Sequence, residues 1–160
     1  MKVKISYLLS LLSGIVATVS IFLTYASVKV VGYDTGTNYN GLDLRDLFRN
    51  IGGDWFNGLA EYAIIFILIF GICTIVYSIV LMVMNDKVKN VPMNFFIDGA
   101  ILMILVIVVI VRVTQVHDGL IGTTGLTVRY GLYVAIVAAI LSLAAGVAEL
   151  RMGDKTLNRS

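Results

Sequence analysis

The chain has 160 residues, of which 59% are hydrophobic and 14% charged, and its mean hydropathy is +0.94. Soluble domains carry about 25% charged residues, and a domain of this size keeps much of its surface in contact with solvent. The composition therefore predicts lipid as the solvent and excludes an ordinary water-soluble domain. A net charge of +2 without a basic run argues against nucleic acid as a partner. A lone cysteine, Cys73, excludes a disulfide within the chain.

The first apolar stretch, residues 5–28, is long enough for a membrane-spanning helix, which needs about 20 residues. A signal peptide is the rival interpretation, but its apolar region is only about 7–15 residues long, so we expect a retained helix. Small residues recur every fourth position along this stretch. They let a neighbouring helix approach closely, and they are Ser6, Ser10, Gly14 and Thr18.

The first outer loop, residues 29–58, is predicted to form a small cap. Residues 27–33 are rich in β-branched side chains and indicate a strand, residues 34–38 have turn chemistry, and residues 39–42 could return as a second strand. A change to helical spacing follows, with Asp43 in position to cap the helix and Gly52 to end it. Its apolar face consists of Leu44, Leu47, Phe48 and Ile51.

This amphipathic helix is expected to lie on the membrane interface or on top of the helices. Trp55 and Phe56 follow it, at the depth where aromatic rings anchor to lipid headgroups. The cap either only seals the helices or presents a surface to a partner, and the sequence leaves both interpretations open.

Two more apolar stretches, residues 59–84 and 95–113, predict the second and third membrane-spanning helices, joined by an inner loop at residues 85–94. Residues 101–111 of the third are apolar on every face, so we expect this helix to face lipid or another subunit. The second outer loop, residues 114–129, includes residues 126–128, which could add a strand beside residues 28–31.

The fourth predicted span, residues 130–148, carries a second stripe of small residues, formed by Ala138, Ser142 and Gly146. We expect this stripe to pack against the stripe of the first span. Two alternatives remain: small residues are common in membrane helices, and one stripe could serve self-association.

The basic residues predict the orientation, because cytoplasmic segments carry more lysine and arginine than outer ones. With both termini inside, seven basic residues lie on the inner side and five on the outer side. The chain is therefore predicted to be an all-α protein of the plasma membrane, a single domain (1–160) of four transmembrane helices with cytoplasmic termini. The inner residues are Lys2, Lys4, Lys87, Lys89, Arg151, Lys155 and Arg159.

Candidate chemical groups are few. No charge lies at the middle of a span, and Glu61 is expected to form an interfacial ion pair with Arg112 or Arg129. Asp98 lies near the inner end of the third span, within expected reach of Lys87, Lys89 or Arg151. Thr74, Tyr77 and Ser78 are expected to hydrogen-bond between helices; a hydrated cavity lined by them would instead indicate a transport path. His117 lacks companion ligands, so we expect no metal site. We also expect no cofactor and no enzymatic activity.

The order of elements resembles the four-span topology of claudins, but Gly41-Leu42-Asp43 stands where claudins carry a Gly-Leu-Trp segment, and the loop has no cysteine. Adhesion or pore function is therefore not implied. Asn40 to Leu44 and Val128 to Tyr133 are more similar to segments of small, uncharacterised prokaryotic four-span proteins. That resemblance implies the topology and no activity.

These observations favour a structural or interaction protein, such as an accessory subunit of a membrane complex. Its expected partners are membrane lipid and other membrane subunits or a second copy of itself. The alternative is an oligomeric subunit of a small transporter or channel, because a single bundle with apolar midspans offers no polar path.

Overall fold

A computed structural model of the chain describes residues 4–30, 33–51, 55–84, 91–119 and 124–157. Within these ranges it has five helices and three strands. In chain order they are α1 (Ile5–Ser20), β1 (Thr24–Val30), β2 (Tyr33–Asn40), α2 (Gly41–Ile51), α3 (Trp55–Met84), α4 (Val91–Gly119), β3 (Thr124–Val128) and α5 (Tyr130–Leu157).

Three helices of the described chain are long and apolar enough to cross a membrane: Trp55–Met84, Val91–Val116 and Tyr130–Arg151. This makes the chain compatible with a membrane protein. Helix α1 is also apolar but has only 16 residues. The long helices extend beyond the predicted spans at one or both ends, because helical hydrogen bonding continues beyond the apolar segment that hydropathy detects.

The first predicted span, residues 5–28, does not form a single helix. Helix α1 ends at Ser20, and strand β1 begins at Thr24. The last turn is tightened by two short-range bonds, in which Phe22 N donates to the Val19 carbonyl and Leu23 N to the Ser20 carbonyl, each at 3.0 Å. The prediction was wrong here because an apolar strand and an apolar helix have the same hydropathy.

Helices α1, α3, α4 and α5 pack as a ring in which α1 contacts α3 and α5, and α4 contacts the same two helices. The core between them is apolar over most of its length. Helix α4 contributes four side chains that are at most 1% exposed: Leu102, Val106, Val109 and Val113. Of the three long helices, α4 nevertheless buries the smallest share of its apolar segment.

Strands β1, β2 and β3 form an antiparallel sheet in the order β2-β1-β3. Val28 of β1 lies opposite Leu126 of β3, which confirms the predicted third strand. The predicted turn at residues 34–38 is wrong, because these residues belong to β2. Gly36 adopts a φ of 74° there, a conformation that glycine tolerates best. Val30 pairs with Tyr33, and residues 31–32 between them lie outside the described residues.

Helix α2 confirms the predicted amphipathic helix but begins earlier than expected. The side chain of Asn40, rather than Asp43, caps it, since Asn40 Oδ1 accepts a 2.9 Å bond from Asp43 N. Leu44 and Phe48 are fully buried and α2 packs mainly against α3. Leu47 is half-buried and Ile51 is exposed. We call the sheet and α2 together the cap, and the ends of the long helices near them the cap end.

Candidate functional site

Three of the four small residues of the α1 stripe, Ser10, Gly14 and Thr18, face α3 rather than α5, against which the stripe was expected to pack. A Cβ atom placed on Gly14 would lie 2.7 Å from the carbonyl oxygen of Gly71, and one on Gly71 would lie 2.6 Å from Thr18 Oγ1. Ser10 lies one turn before Gly14 on α1, and Ser78 lies about two turns after Gly71 on α3. Their Oγ atoms are 2.8 Å apart. The backbones of α1 and α3 therefore approach closely along this line.

The stripe on α5 divides between two neighbours. Ser142 and Gly146 face α4: Ser142 Oγ lies 3.1 Å from the Phe95 carbonyl oxygen, and a Cβ on Gly146 would lie 3.1 Å from the Phe96 ring. Ala138 faces α1, because its carbonyl accepts a 2.7 Å bond from Ser13 Oγ. Ser13 lies outside the four-residue spacing, so the sequence pattern missed this link.

Far from the cap, α1 and α5 are joined by a buried carboxylate. Glu149 accepts a 2.8 Å charged bond from Lys4 Nζ and a short bond from the hydroxyl of Ser6. The Glu149 side chain is 10% exposed and that of Lys4 28%. Ser6 was predicted to belong to a packing stripe, and its partner is this carboxylate. No local pattern in the sequence signals this pair, because its members lie at opposite ends of the chain.

At the cap end the expected ion pair of Glu61 does not form with either arginine. Arg112 Nε instead donates a 2.6 Å bond to Asn57 Oδ1, and its guanidinium lies 6.0 Å from the centre of the Phe56 ring. Arg129 Nε donates a 2.6 Å bond to Ser27 Oγ. Arg112 thus links α4 to α3, and Arg129, between β3 and α5, bonds to β1.

The cap is fixed to the helices through Tyr25. Its side chain is fully buried, its hydroxyl lies 3.0 Å from Ser20 Oγ, and its carbonyl accepts a 2.9 Å bond from Arg129 N. Burial raises the pKa of the Tyr25 phenol, since the ionised form would lose its hydration. Gly131 permits this contact, because a Cβ there would lie 2.7 Å from the Tyr25 ring.

The two aromatic residues at the start of α3 have different surroundings. Trp55 is 77% exposed, whereas Phe56 is half-buried. Their rings meet edge to face, with centroids 5.5 Å apart. The exposed indole is suitably placed for a contact with lipid headgroups or with a partner.

The principal polar cluster within the long helices surrounds Asp98 of α4. Thr74 Oγ1 of α3 lies 2.9 and 3.0 Å from the two carboxylate oxygens, and Ser142 Oγ of α5 lies 2.9 Å from one of them. Asp98 lies seven residues after the start of α4, which corresponds to about 10 Å along the helix. The carboxylate thereby links three helices in the half of the bundle far from the cap.

Of the basic partners expected for Asp98, Arg151 is exposed and forms no ion pair with it. Lys87 and Lys89 lie outside the described residues. Asp98, Thr74 and Ser142 each stand out in the sequence for a separate reason. No sequence pattern brings them together, because the three lie on different helices whose relative rotation the sequence does not specify.

A cleft of about 220 Å³ opens beside Asp98 between α3 and α4. Thr74 and Tyr77 line it, whereas Ser78 instead lies against Ser10 and the Thr74 carbonyl. Asn94 Nδ2 donates a 2.7 Å bond to the Tyr77 hydroxyl. The complete lining is Ser10, Phe70, Cys73, Thr74, Tyr77, Asn94, Phe95 and Asp98.

The described residues contain no group of three or more His, Cys, Asp or Glu side chains placed to hold a metal ion. His117 belongs to the last turn of α4, but its side chain lies outside the described part of the structure. Comparison with known proteins finds no matching family model and no similar curated protein.

Proposed function

We propose that this protein is a structural or interaction protein of the plasma membrane, an accessory subunit whose cap and helical faces contact other membrane proteins. In this proposal α1, α3, α4 and α5 all cross the bilayer, with both termini in the cytoplasm and the cap outside. The apolar exterior supports it, because each of these helices exposes large apolar side chains away from the core. On α1 they include Leu8, Leu12, Ile15 and Val19.

The observation that carries the interaction role is the rigid attachment of the cap. Tyr25, Arg129 and Gly41 connect the cap to the helices by backbone bonds, among them a 2.7 Å bond from Gly41 N to the Ile21 carbonyl. A platform held in this way presents a fixed surface to a partner, at little further cost in conformational entropy. Both outer strands of the sheet, β2 and β3, have one edge without a strand partner in the described chain.

The interaction role predicts a stoichiometric complex on native purification in mild detergent. The variant Ile51→Glu, which places a charge on the exposed apolar end of α2, is expected to lose the partner. Asn50→Glu adds the same single negative charge at the neighbouring exposed position of the same helix and serves as the matched control. Size-exclusion chromatography with light scattering and mass spectrometry of the purified complex provides the measurement. A chain that purifies only as a monomer or a pure homo-oligomer would contradict the accessory role.

The proposed orientation predicts which positions react with a membrane-impermeant maleimide in intact cells. In a Cys73→Ser background, the Asn38→Cys variant in the cap should label from outside. The Arg151→Cys variant on the last turns of α5 should label only after permeabilisation. Both positions are exposed in the structure, so burial does not account for a difference. Equal labelling of the two variants in intact cells would place the cap and the last turns of α5 on the same side of the membrane and exclude this topology.

A second candidate is an oligomeric subunit of a small transporter or channel. The cleft beside Asp98 favours it, because Thr74 and Tyr77 are two of the three residues expected to line a transport path. Homo-oligomers with a hydrated axis that includes this cleft would support the transport role over the accessory one. Solvent accessibility of Cys73, measured as its rate of modification in proteoliposomes, tests whether the cleft is hydrated.

A further inference from the structure

The hydroxyl groups around Asp98 supply too few protons for the acceptors they touch. Thr74 Oγ1 lies near both carboxylate oxygens and also 2.8 Å from the Phe70 carbonyl oxygen. Ser142 Oγ lies 2.9 Å from Asp98 Oδ2 and 3.1 Å from the Phe95 carbonyl oxygen. Each hydroxyl has one proton, whereas an ionised carboxylate accepts up to four bonds. Asp98 therefore retains acceptor capacity that these two neighbours do not fill.

The charge of this carboxylate also lacks a counter-ion among the described residues. The ion pairs of the described chain are Lys4 with Glu149 and Arg45 with Asp46, and neither includes Asp98. An ionised group within a membrane-spanning segment is costly unless a cation or several donors compensate it. One ammonium group would supply both the hydrogen-bond donors and the positive charge that Asp98 lacks among the described residues.

The cleft next to Asp98 has the lining that an organic ammonium requires. Three aromatic rings, those of Phe70, Tyr77 and Phe95, border it, and the last two meet at 6.1 Å between centroids. Aromatic faces attract cations by their quadrupole and also cover the apolar part of a ligand. Asn94 and Cys73 are exposed and border the same cleft, which places them toward its opening.

We propose that the cleft between α3 and α4 binds a small organic cation, an ammonium group on an apolar body, with the ammonium on Asp98 and the body against the three rings. Drug-sized ligands occupy pockets of about 300–1,000 Å³, so a cleft of about 220 Å³ selects a smaller molecule. The ammonium could belong to a free amine or to an aminolipid headgroup. The inference is independent of the accessory role proposed above.

Equilibrium dialysis of the full-length protein in detergent with radiolabelled 2-phenylethylammonium tests the site. The neutral isostere 2-phenylethanol should compete poorly, because it lacks the charge. Asp98→Asn keeps the size of the side chain and should weaken binding of the cation by about tenfold to a hundredfold, the range for a charged hydrogen bond. Glu61→Gln makes the same chemical change at the cap end of α3 and should bind as the original protein does.

Cys73 locates the bound cation, because this thiol lines the cleft and is exposed. Saturating 2-phenylethylammonium should slow its modification by a maleimide in the original protein and not in Asp98→Asn. Tyr77→Leu provides a second variant that keeps the carboxylate and removes an aromatic face, and it should weaken binding by several-fold. Circular dichroism checks that each variant is folded.

A second arm replaces the amine by phosphatidylethanolamine in mixed micelles, with phosphatidylcholine as the comparison lipid. Protection of Cys73 by the first lipid alone assigns the ammonium to a headgroup, whereas binding of the free amine assigns it to a soluble ligand. Equal binding of amine and alcohol, full binding by Asp98→Asn, or no binding of either amine source at millimolar concentration would overturn the proposal.

Discussion

Replacing Gly14 by leucine is expected to lower the free energy of unfolding by about 1–3 kcal/mol, the usual range for overpacking. A Cβ atom at Gly14 would lie 2.7 Å from the carbonyl oxygen of Gly71 and 2.8 Å from the backbone nitrogen of Ile75. Both atoms belong to the backbone of α3, so no side-chain rotation can relieve the clash. Helices α1 and α3 must separate, and the link between Ser10 and Ser78 is expected to lengthen.

Gly58→Leu is the matched control for this substitution. It makes the same change in helix propensity, which by itself favours leucine by up to about 1 kcal/mol. No atom lies within 4 Å of a Cβ placed on Gly58. Unfolding by SDS in mixed micelles, followed by circular dichroism, should therefore give a stable Gly58→Leu and a destabilised Gly14→Leu. Equal stability of the two variants would show that the contact between α1 and α3 is looser than described.

Replacing Glu149 by leucine is expected to destabilise the protein by about 1–3 kcal/mol, the cost of leaving a buried polar group without its partner. The substitution removes the acceptor of the fully buried Ser6 hydroxyl and the counter-ion of Lys4. Arg151→Leu removes an exposed charge two residues further along the same helix and should change stability by less than about 0.5 kcal/mol. The same SDS titration measures both variants.

The triple variant Lys4→Met, Ser6→Ala and Glu149→Leu distinguishes two contributions to the free energy of unfolding. One is the cost of leaving a buried polar group without its acceptor, and the other is the net stabilisation from the interactions among these three residues. Apolar residues of similar shape often replace a buried polar pair at little cost. We therefore expect the triple variant to recover most of the stability lost in Glu149→Leu. A triple variant that is less stable than the single one would indicate that the charged network itself contributes the stabilisation.

The long apolar helices and the cap were predictable from the sequence because each has a local signal. Helical spacing from Leu44 to Ile51 predicted α2, and the β-branched residues near Val28 and Leu126 predicted two paired strands. Local signals failed at the end of α1, where an apolar strand follows the helix without a break in hydropathy. The N-cap residue of α2 was predicted three residues too late, at Asp43 instead of Asn40, because both residue types are good N-caps.

The pairing of the helices was less predictable, for a geometric reason. A stripe of small residues shows that a neighbour can approach closely, but it does not say which neighbour. Gly14 meets Gly71, a lone glycine in an otherwise bulky segment of α3, and Ser142 meets Asp98 rather than α1. The cluster around Asp98 depends on three such pairings at once, so no single segment of the sequence could reveal it.

The unequal length of the helices has a consequence for the surrounding bilayer. At 1.5 Å per residue, α1 is about 24 Å long and α3 about 45 Å, whereas a typical hydrocarbon core is about 30 Å thick. In the proposed arrangement, lipids beside α1 would have to be compressed while those on the opposite side would not. This uneven hydrophobic thickness favours thinner membrane with shorter-chain lipids beside α1. It also favours association through that side with neighbouring proteins that thin the bilayer in the same manner.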